Sequence, residues 1–158
     1  MQIVVMSDSH GDFFAVQELV KRYKDDSVFI HLGDGLNELS EIIDLYPDVK
    51  VFSVSGNCDF VSGKALFSTL QCEEVRIFYT HGHVYGVKYA TDKLLRAAQA
   101  ANAQVALFGH THQPLNHMES GVLLVNPGSL GQPRGGRRPS YAVLEVDGAR
   151  VSCRIEEL

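Results

Sequence analysis

Five short polar motifs stand out in this sequence because each lies at the end of an apolar run. The motifs are Asp8-Ser9-His10, Gly33-Asp34, Gly56-Asn57-Cys58-Asp59, Thr80-His81-Gly82-His83 and Gly109-His110-Thr111-His112; the runs before them are IVVM, VFIHL, VFSV, VRIFY and VALF. Asp and Asn supply oxygen ligands and His supplies imidazole nitrogen, the donors that bind hard or borderline divalent cations. Strands that repeatedly end in such residues would gather them at one edge of a sheet. The pattern therefore predicts a two-metal hydrolase.

Each motif taken alone also has an ordinary structural interpretation. Asp34 and Asn57 follow a glycine after a strand, where a turn would suit them, and Asp8 could form an Asx turn beside a surface histidine. Side chains two residues apart in an extended segment point the same way, so Asp8 and His10 could instead hold one cation together. The joint occurrence of the motifs in one chain favours the metal site over a series of unrelated turns.

The elements that must position these motifs follow from the apolar periodicity. In the amino-terminal part, the expected elements are a strand at residues 2–6, a helix from Asp12 to Lys24, a strand at Ser27–Leu32, a helix at Leu36–Leu45 and a strand at Val51–Val54. This alternation predicts an α/β sheet whose loops at the carboxyl ends of the strands carry the chemistry.

The carboxyl-terminal part is predicted to be more antiparallel. Strands are expected at Val75–Tyr79, Val105–Phe108 and Val122–Val125, with a helix capped by Thr91-Asp92 that runs to Ala101. Asp147-Gly148 is a strong hairpin signal between strands at Tyr141–Val146 and Ala149–Ile155. The segment 60–70 shows no clear pattern.

Length, composition and charge limit the classes of protein to which this chain can belong. A chain of 158 residues with 45% hydrophobic and 21% charged residues fits one domain, residues 1–158, with a single core. The net charge of −5 argues against an extended nucleic-acid surface, and no apolar run is long enough to cross a membrane. The first residues, MQIVVMSD, do not read as a signal peptide, and the three cysteines have no metal-knuckle spacing. We therefore expect a cytoplasmic protein with reduced thiols.

The ordered motifs resemble those of the calcineurin-like metallophosphoesterases, whose pattern runs D-x-H, G-D, G-N-H-[DE], a later H, and G-H-x-H. The match spans Asp8 to His112, and the Gly-Asn-Cys-Asp sequence looks most similar to the small bacterial and archaeal phosphodiesterase branch. The resemblance implies a four-layer α/β/β/α sandwich of two mixed β-sheets flanked by helices, which agrees with the sheet-on-sheet core suggested by the strands.

The same resemblance implies two metal sites that share one carboxylate. Asp8, His10 and His112 would bind the first cation, Asn57, His81 and His110 would bind the second, and Asp34 would bridge the two. Two cations roughly 3.5–4 Å apart would share a water, lower its pKa and supply a hydroxide that attacks phosphorus. Mn²⁺ is the expected metal, with Fe, Zn, Ni and Co as alternatives. Of the remaining histidines, His31 is expected in the core, His83 beside the ligands and His117 in a loop.

Cys58 departs from the pattern, because the wider family has His at this position. The resemblance implies that this His protonates the leaving oxygen with help from the following acid, here Asp59. The candidate catalytic residues are therefore Asn57, Cys58 and Asp59. A thiol is a poorer proton donor near neutrality than imidazolium, so Cys58 is expected to be a weak general acid. The alternative is that Cys58 only packs beneath the site.

A basic loop follows the predicted tight turn Asn126-Pro127-Gly128-Ser129, and it carries Arg134, Arg137 and Arg138. Arg134 lies closest to the turn and is the first candidate to bind the substrate phosphate, together with Asn57. A solvated loop or a dimer contact is the alternative.

The sequence thus predicts a metal-dependent phosphodiesterase that acts on a small phosphodiester. The alternatives are a phosphomonoesterase with the same site and a noncatalytic protein-binding scaffold of the kind found in the retromer coat, where parts of the site have been lost. The resemblance also suggests a homo-oligomer, either a dimer or a tetramer.

Overall fold

Strands and helices alternate through the first half of the computed structural model, which describes residues 1–60 and 63–158. The helices are α1 (Phe13–Tyr23), α2 (Leu36–Leu45) and α3 (Asp92–Ala100), and a short 3₁₀ turn covers His83–Tyr85. The strands are β1 (Gln2–Met6), β2 (Ser27–His31), β3 (Val51–Ser53), β4 (Phe67–Cys72), β5 (Val75–Thr80), β6 (Val105–Leu107), β7 (Leu115–Glu119), β8 (Val122–Asn126), β9 (Ser140–Asp147) and β10 (Arg150–Glu157).

The strands form two mixed sheets of five strands each. The first has the order β10-β9-β1-β2-β3. In it β1, β2 and β3 are parallel, β9 runs antiparallel to β1, and β10 runs antiparallel to β9. The second has the order β4-β5-β6-β8-β7, in which β5, β6 and β8 are parallel and the two edge strands are antiparallel. The three parallel strands are neighbours in each sheet, so the loops at their carboxyl ends lie side by side.

The two sheets pack face to face, and helices cover their outer faces. In β1, Ile3 and Val5 point into the core between the sheets, whereas Val4 and Met6 pack against α1 and α2. Helix α3 packs on the opposite face, over the second sheet. Because β1 is buried on both faces, its sequence is a continuous apolar run rather than an alternating one. This arrangement confirms the predicted four-layer α/β/β/α sandwich.

Two strands were not predicted, and both lie at an edge of the second sheet. β4 and β7 mix polar and apolar side chains, and all of these except Cys72 are partly or fully exposed, so neither strand contains an apolar run. His117, predicted in a loop, is instead an exposed residue of β7 and pairs with Leu124 of β8. The predicted helix capped by Thr91 is present, but within the described chain the Thr91 side chain makes no capping hydrogen bond.

In residues 1–60 and 63–158, none of the helices combines the length and the apolar character needed to cross a bilayer.

Candidate metal centre

The residues predicted as metal ligands lie together at the edge where the parallel strands of both sheets end. They are Asp8, His10, Asp34, Asn57, His81, His110 and His112. Their donor atoms fall into two neighbouring groups with one carboxylate between them. We call Asp8, His10 and His112 the first half-site, and Asn57, His81 and His110 the second half-site; Asp34 lies between them.

The first half-site brings one carboxylate and two imidazoles to a common point. Asp8 Oδ1 lies 3.1 Å from His112 Nε2 and 3.8 Å from His10 Nε2, and the two Nε2 atoms are 3.2 Å apart. Asp8 is fully buried and His112 nearly so, whereas His10 is partly exposed. Three donors at these separations are arranged as the ligands of a single cation would be.

The donor atoms of the second half-site are equally close together, but they are an amide oxygen and two imidazole nitrogens. His81 Nε2 lies 3.1 Å from Asn57 Oδ1 and 3.1 Å from His110 Nδ1. The remaining neighbour is Asp34, whose Oδ2 lies 3.3 Å from His81 Nε2 and 3.9 Å from His10 Nε2. Asp34 Oδ2 therefore faces both half-sites, as the predicted bridging role requires.

Backbone carbonyls orient the buried imidazoles. His81 Nδ1 lies 2.9 Å from the carbonyl oxygen of Leu32, and His112 Nδ1 lies 2.6 Å from that of Gln132. A carbonyl can only accept, so in each ring Nδ1 is the donor, and loss of the Nε2 proton leaves a lone pair that faces the half-sites. This is the usual way in which proteins fix a histidine for metal binding.

One buried atom in the first half-site needs a partner that the protein does not supply. Asp8 Oδ1 is buried and receives no hydrogen bond from any described residue, although Asp8 Oδ2 accepts bonds from Ser7 Oγ at 2.6 Å and from the His110 amide at 3.0 Å. A buried carboxylate oxygen without a donor is costly unless a cation satisfies it. The residues present therefore fit divalent cations.

The surroundings of Asp34 and His110 shift the pKa values of both side chains. Burial alone would raise the pKa of the Asp34 carboxyl, but the hydrogen bond and charge of His81 and the amide of Cys58 hold that pKa below its ordinary value. Burial, with the charges of His81 and Lys88, lowers the pKa of His110 to about 4. Asp34 is therefore ionised and His110 neutral near neutral pH, which are the forms that bind metals.

The backbone is held in an unusual conformation at these residues. Asp8, His10, Asp34, His110 and His112 have φ angles of 54°, 44°, 58°, 66° and 58°, in the left-handed region that non-glycine residues rarely adopt. Such conformations persist only where the surroundings enforce them, and they cluster at functional sites. Five of the seven predicted ligands share this conformation.

Asp59 has a role that the sequence did not reveal. Its carboxylate accepts hydrogen bonds from the backbone amides of Asp34, Gly35, Leu36 and Gly56, at 2.6, 3.0, 3.0 and 2.8 Å. These bonds fix the Asp34 loop and the start of α2 against the loop after β3. Both oxygens are engaged by backbone donors, so Asp59 positions these loops. Its part in proton donation stays a prediction.

The Asn126-Pro127-Gly128-Ser129 turn holds the loop that carries His110 and His112. The buried Asn126 amide donates to the carbonyl of Gly109 at 2.9 Å and to Thr111 Oγ1 at 3.0 Å, and its Oδ1 accepts from the Gly128 amide at 2.9 Å. Ser129 Oγ donates to the carbonyl of Asp8 at 2.7 Å. The turn thus locks the loops of both half-sites, a function hinted at in the sequence only by its tight-turn composition.

Close approach of the loops explains why glycines precede the ligands. A Cβ at Gly56 would collide with Asp34 Oδ1, and one at Gly109 would collide with the Ser7 side chain. Any other residue at either position would push apart two loops that carry ligands.

Cys58 lies at the solvent-facing side of the centre. Its amide donates to Asp34 Oδ1 at 2.7 Å, and its Sγ lies within 4.8 Å of donor atoms of His10 and Asp34. Burial and the charge of Asp34 raise the pKa of the thiol, so the metal-free protein keeps it protonated. The catalytic roles of Asn57 and Cys58 stay predictions.

Two grooves flank the centre. The basic groove has a volume of about 470 Å³, and its lining includes Lys88, Phe108, Thr111, Leu115 and Arg134. The acidic groove has a volume of about 310 Å³, and its lining includes His10, Asp34, Glu38, Glu41, Cys58 and Asp59. Arg134 is thus placed in a groove beside the His110–His112 loop, whereas Arg138 lies 3.7 Å from Glu157.

The other histidines have supporting positions. His31 is fully buried and lies 3.0 Å from Ser9 Oγ, while its Nδ1 accepts from the Gly33 amide at 3.1 Å, as expected for a core histidine. His83 lies next to the second half-site, with its ring centroid 5.3 Å from that of His81.

Comparisons with known proteins show the family of this chain. The model of the calcineurin-like phosphoesterase superfamily domain matches residues 1–149. A Bacillus subtilis (strain 168) protein named probable metallophosphoesterase YsnB is 33% identical over 98% of this chain and 89% of its own length. Phosphodiesterase YfcE of Escherichia coli (strain K12) is 26% identical over 93% of this chain and 89% of its own length.

Solved structures show the same fold. A protein from Streptococcus pneumoniae TIGR4, described as a predicted phosphoesterase, superposes with a TM-score of 0.86 at 34% identity, covering 98% of this chain and 87% of its own. Vacuolar Protein Sorting 29 from Cryptosporidium parvum has a TM-score of 0.82 at 17% identity, with 99% and 91% covered; this likeness concerns the fold alone.

Proposed function

The chain belongs to the calcineurin-like phosphoesterase superfamily, and from this premise and the geometry of the centre we propose that it is a metal-dependent phosphodiesterase with two metal ions. The observation that carries the proposal is the convergence of two half-sites on the shared Asp34 Oδ2, beside the buried and unpartnered Asp8 Oδ1. Divalent cations bound there would lower the pKa of a water toward neutrality and offset negative charge on the phosphate oxygens. Mn²⁺ is our expected ion, with Fe, Zn, Ni and Co as alternatives.

The chain's own residues prepare the site for this chemistry. The Leu32 and Gln132 carbonyls hold the His81 and His112 rings in the ligating tautomer, and the strained backbone aims the carboxylates inward. The exposed Asn57 amide carries N–H groups that can donate to a phosphate oxygen. The Cys58 thiol lies where a proton could be delivered to a leaving oxygen.

The shape around the centre favours a diester over a monoester. A phosphodiester has two organic arms, and two separate grooves adjoin the half-sites. A monoester has one arm and would leave one groove unused. The name of the Escherichia coli relative, a phosphodiesterase, supports the same choice.

The noncatalytic alternative is a protein-binding scaffold, since Vacuolar Protein Sorting 29 shares the fold. The presence of every predicted ligand, five of them in the left-handed backbone conformation that clusters at functional sites, favours the enzyme.

The test is hydrolysis of bis(p-nitrophenyl) phosphate and p-nitrophenyl phosphate by protein supplied with Mn²⁺. We expect a higher kcat/KM for the diester and loss of hydrolysis after treatment with a chelator. A higher kcat/KM for the monoester would establish the phosphomonoesterase instead. No hydrolysis of either ester by protein that holds metal would favour the scaffold.

We also propose that the protein works in the cytoplasm on a small phosphodiester, without a broad nucleic-acid surface. All three cysteines, Cys58, Cys72 and Cys153, are free thiols, as a reducing compartment requires. A dimer or tetramer is the proposed assembly, and light scattering of the purified protein measures it.

A further inference from the structure

The basic groove adjoins the metal centre directly. Thr111, which lines it, lies between the ligands His110 and His112, and the amide of Arg134 contacts the carbonyl of His112 at 3.4 Å. A group bound in this groove would therefore be within reach of a phosphate held at the half-sites. Its volume of about 470 Å³ is within the roughly 300–1,000 Å³ of small-molecule sites, so it can hold a substituent of nucleoside size.

The charge of the groove is opposite to that of the molecule. Lys88 and Arg134 line it, and no carboxylate is among its lining residues, although the whole chain carries a net charge of −5. Within the described part of the chain, neither cation is paired with an acidic side chain, in contrast to Arg22, Arg138 and Arg154. Two unpaired cations over a partly apolar floor, which includes Phe108 and Leu115, suit an anionic ligand with an organic body.

The acidic groove, which is separate from the basic groove, would repel the same group. It is lined by Glu38, Glu41 and Asp59 as well as by Asp34. An arm that ends in a phosphate would be attracted to one side of the centre and repelled from the other. The two grooves can therefore orient an asymmetric diester.

Resting on the proposed function, we propose that the substrate is an asymmetric phosphodiester, one arm of which carries a second phosphate group bound by Lys88 and Arg134 in the basic groove. The other arm, neutral or cationic, occupies the acidic groove. This assignment names a substrate class and gives two exposed side chains a role in selecting it.

The experiment compares thymidine 3′,5′-bisphosphate with thymidine 5′-monophosphate by isothermal titration to protein supplied with Mn²⁺. The second phosphate should tighten binding about tenfold, because hydrogen bonds to Lys88 and Arg134 would be charge-assisted. A double variant, Lys88→Ala with Arg134→Ala, should reduce this ratio to about one with its metal content unchanged. The matched control is Arg138→Ala, which removes an exposed arginine of the same loop that lies outside the groove, and it should keep the ratio.

Equal affinities for the two nucleotides, or a ratio that survives in the double variant, would overturn the proposal. Hydrolysis of bis(p-nitrophenyl) phosphate is measured on the same samples and keeps the two proposals separate. If hydrolysis occurs but the ratio is one, the groove assignment fails and the hydrolase stands. If the ratio is tenfold and lost in the double variant but no diester is hydrolysed, the anion site stands and the hydrolase fails.

Discussion

The two half-sites of the metal centre are equally compact but differ in charge and exposure. The first contains its own carboxylate, Asp8, which is fully buried, whereas the second relies on the neutral and exposed Asn57. Asp34 contributes its charge to both. Because a cation is bound more tightly by more carboxylate charge, the first half-site should fill before the second. The difference suggests that one ion is held permanently and the other is held more loosely, next to the residue proposed to contact substrate.

The largest effect is expected from the residue that the half-sites share. Asp34→Asn removes a charge facing both, while its remaining carbonyl oxygen can still accept the Cys58 amide. We expect kcat/KM for a diester to fall by about 100- to 1,000-fold and the bound metal content to fall in both half-sites.

The comparison for that variant is His83→Ala, which removes a ring beside His81 that is not a predicted ligand. Its loss of activity should be much smaller. Equal losses in the two variants, with circular dichroism showing intact folds, would contradict the bridging role of Asp34.

Asn126→Ala should weaken both half-sites without touching a ligand. Asn126 holds the loop that supplies His110 to one half-site and His112 to the other. We expect both metal affinities to fall about 10- to 100-fold, and stability to fall by about 1–3 kcal/mol because buried groups lose their partners. Thermal unfolding and Mn²⁺ titration measure the two effects.

The matched control is Asn116→Ala, since Asn116 also donates a side-chain hydrogen bond to a backbone carbonyl, at 2.8 Å to Cys153, but is exposed and on β7. If Asn126→Ala lowers stability yet leaves both metal affinities at the control level, its positioning role is wrong.

Asn57→Asp should narrow the difference in metal affinity between the half-sites. It adds a carboxylate to the second half-site, so the weaker ion should bind about tenfold more tightly. Diester hydrolysis should nevertheless fall, because the amide donor is lost. A Mn²⁺ titration and a kinetic assay on the same sample check both outcomes. Tighter Mn²⁺ binding with unchanged kcat would show that Asn57 does not bind the substrate.

A smaller effect is expected at Cys58, near the solvent-facing side of the centre. Imidazole is a better proton donor near neutrality than a thiol, so Cys58→His should speed hydrolysis of diesters with poor leaving groups most. The measurement is the slope of log rate against leaving-group pKa for the wild type and the variant. Coincident slopes at equal metal content would mean that another group or water delivers the proton.

Much of the fold follows from local sequence patterns. β1, α1 and α2 were predicted with bounds within a residue or two of those observed, because buried parallel strands and amphipathic helices leave strong apolar signals. β4 and β7 left none, since an exposed edge strand is defined by pairing with a distant strand rather than by its own composition. The layer order could be given only through resemblance.

The candidate site also has features that the sequence predicts and features that it does not. The ligand types and their positions after strands were readable, and the structure brings them together at one edge. The left-handed backbone at Asp8 and His112, and the capture of four amides by Asp59, depend on contacts between loops far apart in sequence. Nothing in a local motif specifies such contacts, so the positioning role of Asp59 could not be predicted from the sequence.

The most direct test of the two unequal half-sites is electron paramagnetic resonance during Mn²⁺ titration of the wild-type protein. With one equivalent, the spectrum should be that of an isolated bound ion. With excess Mn²⁺ it should become that of a magnetically coupled pair, at two ions per chain by elemental analysis. Saturation at a single ion per chain, or two ions that show no coupling at any ratio, would contradict a shared centre bridged by Asp34.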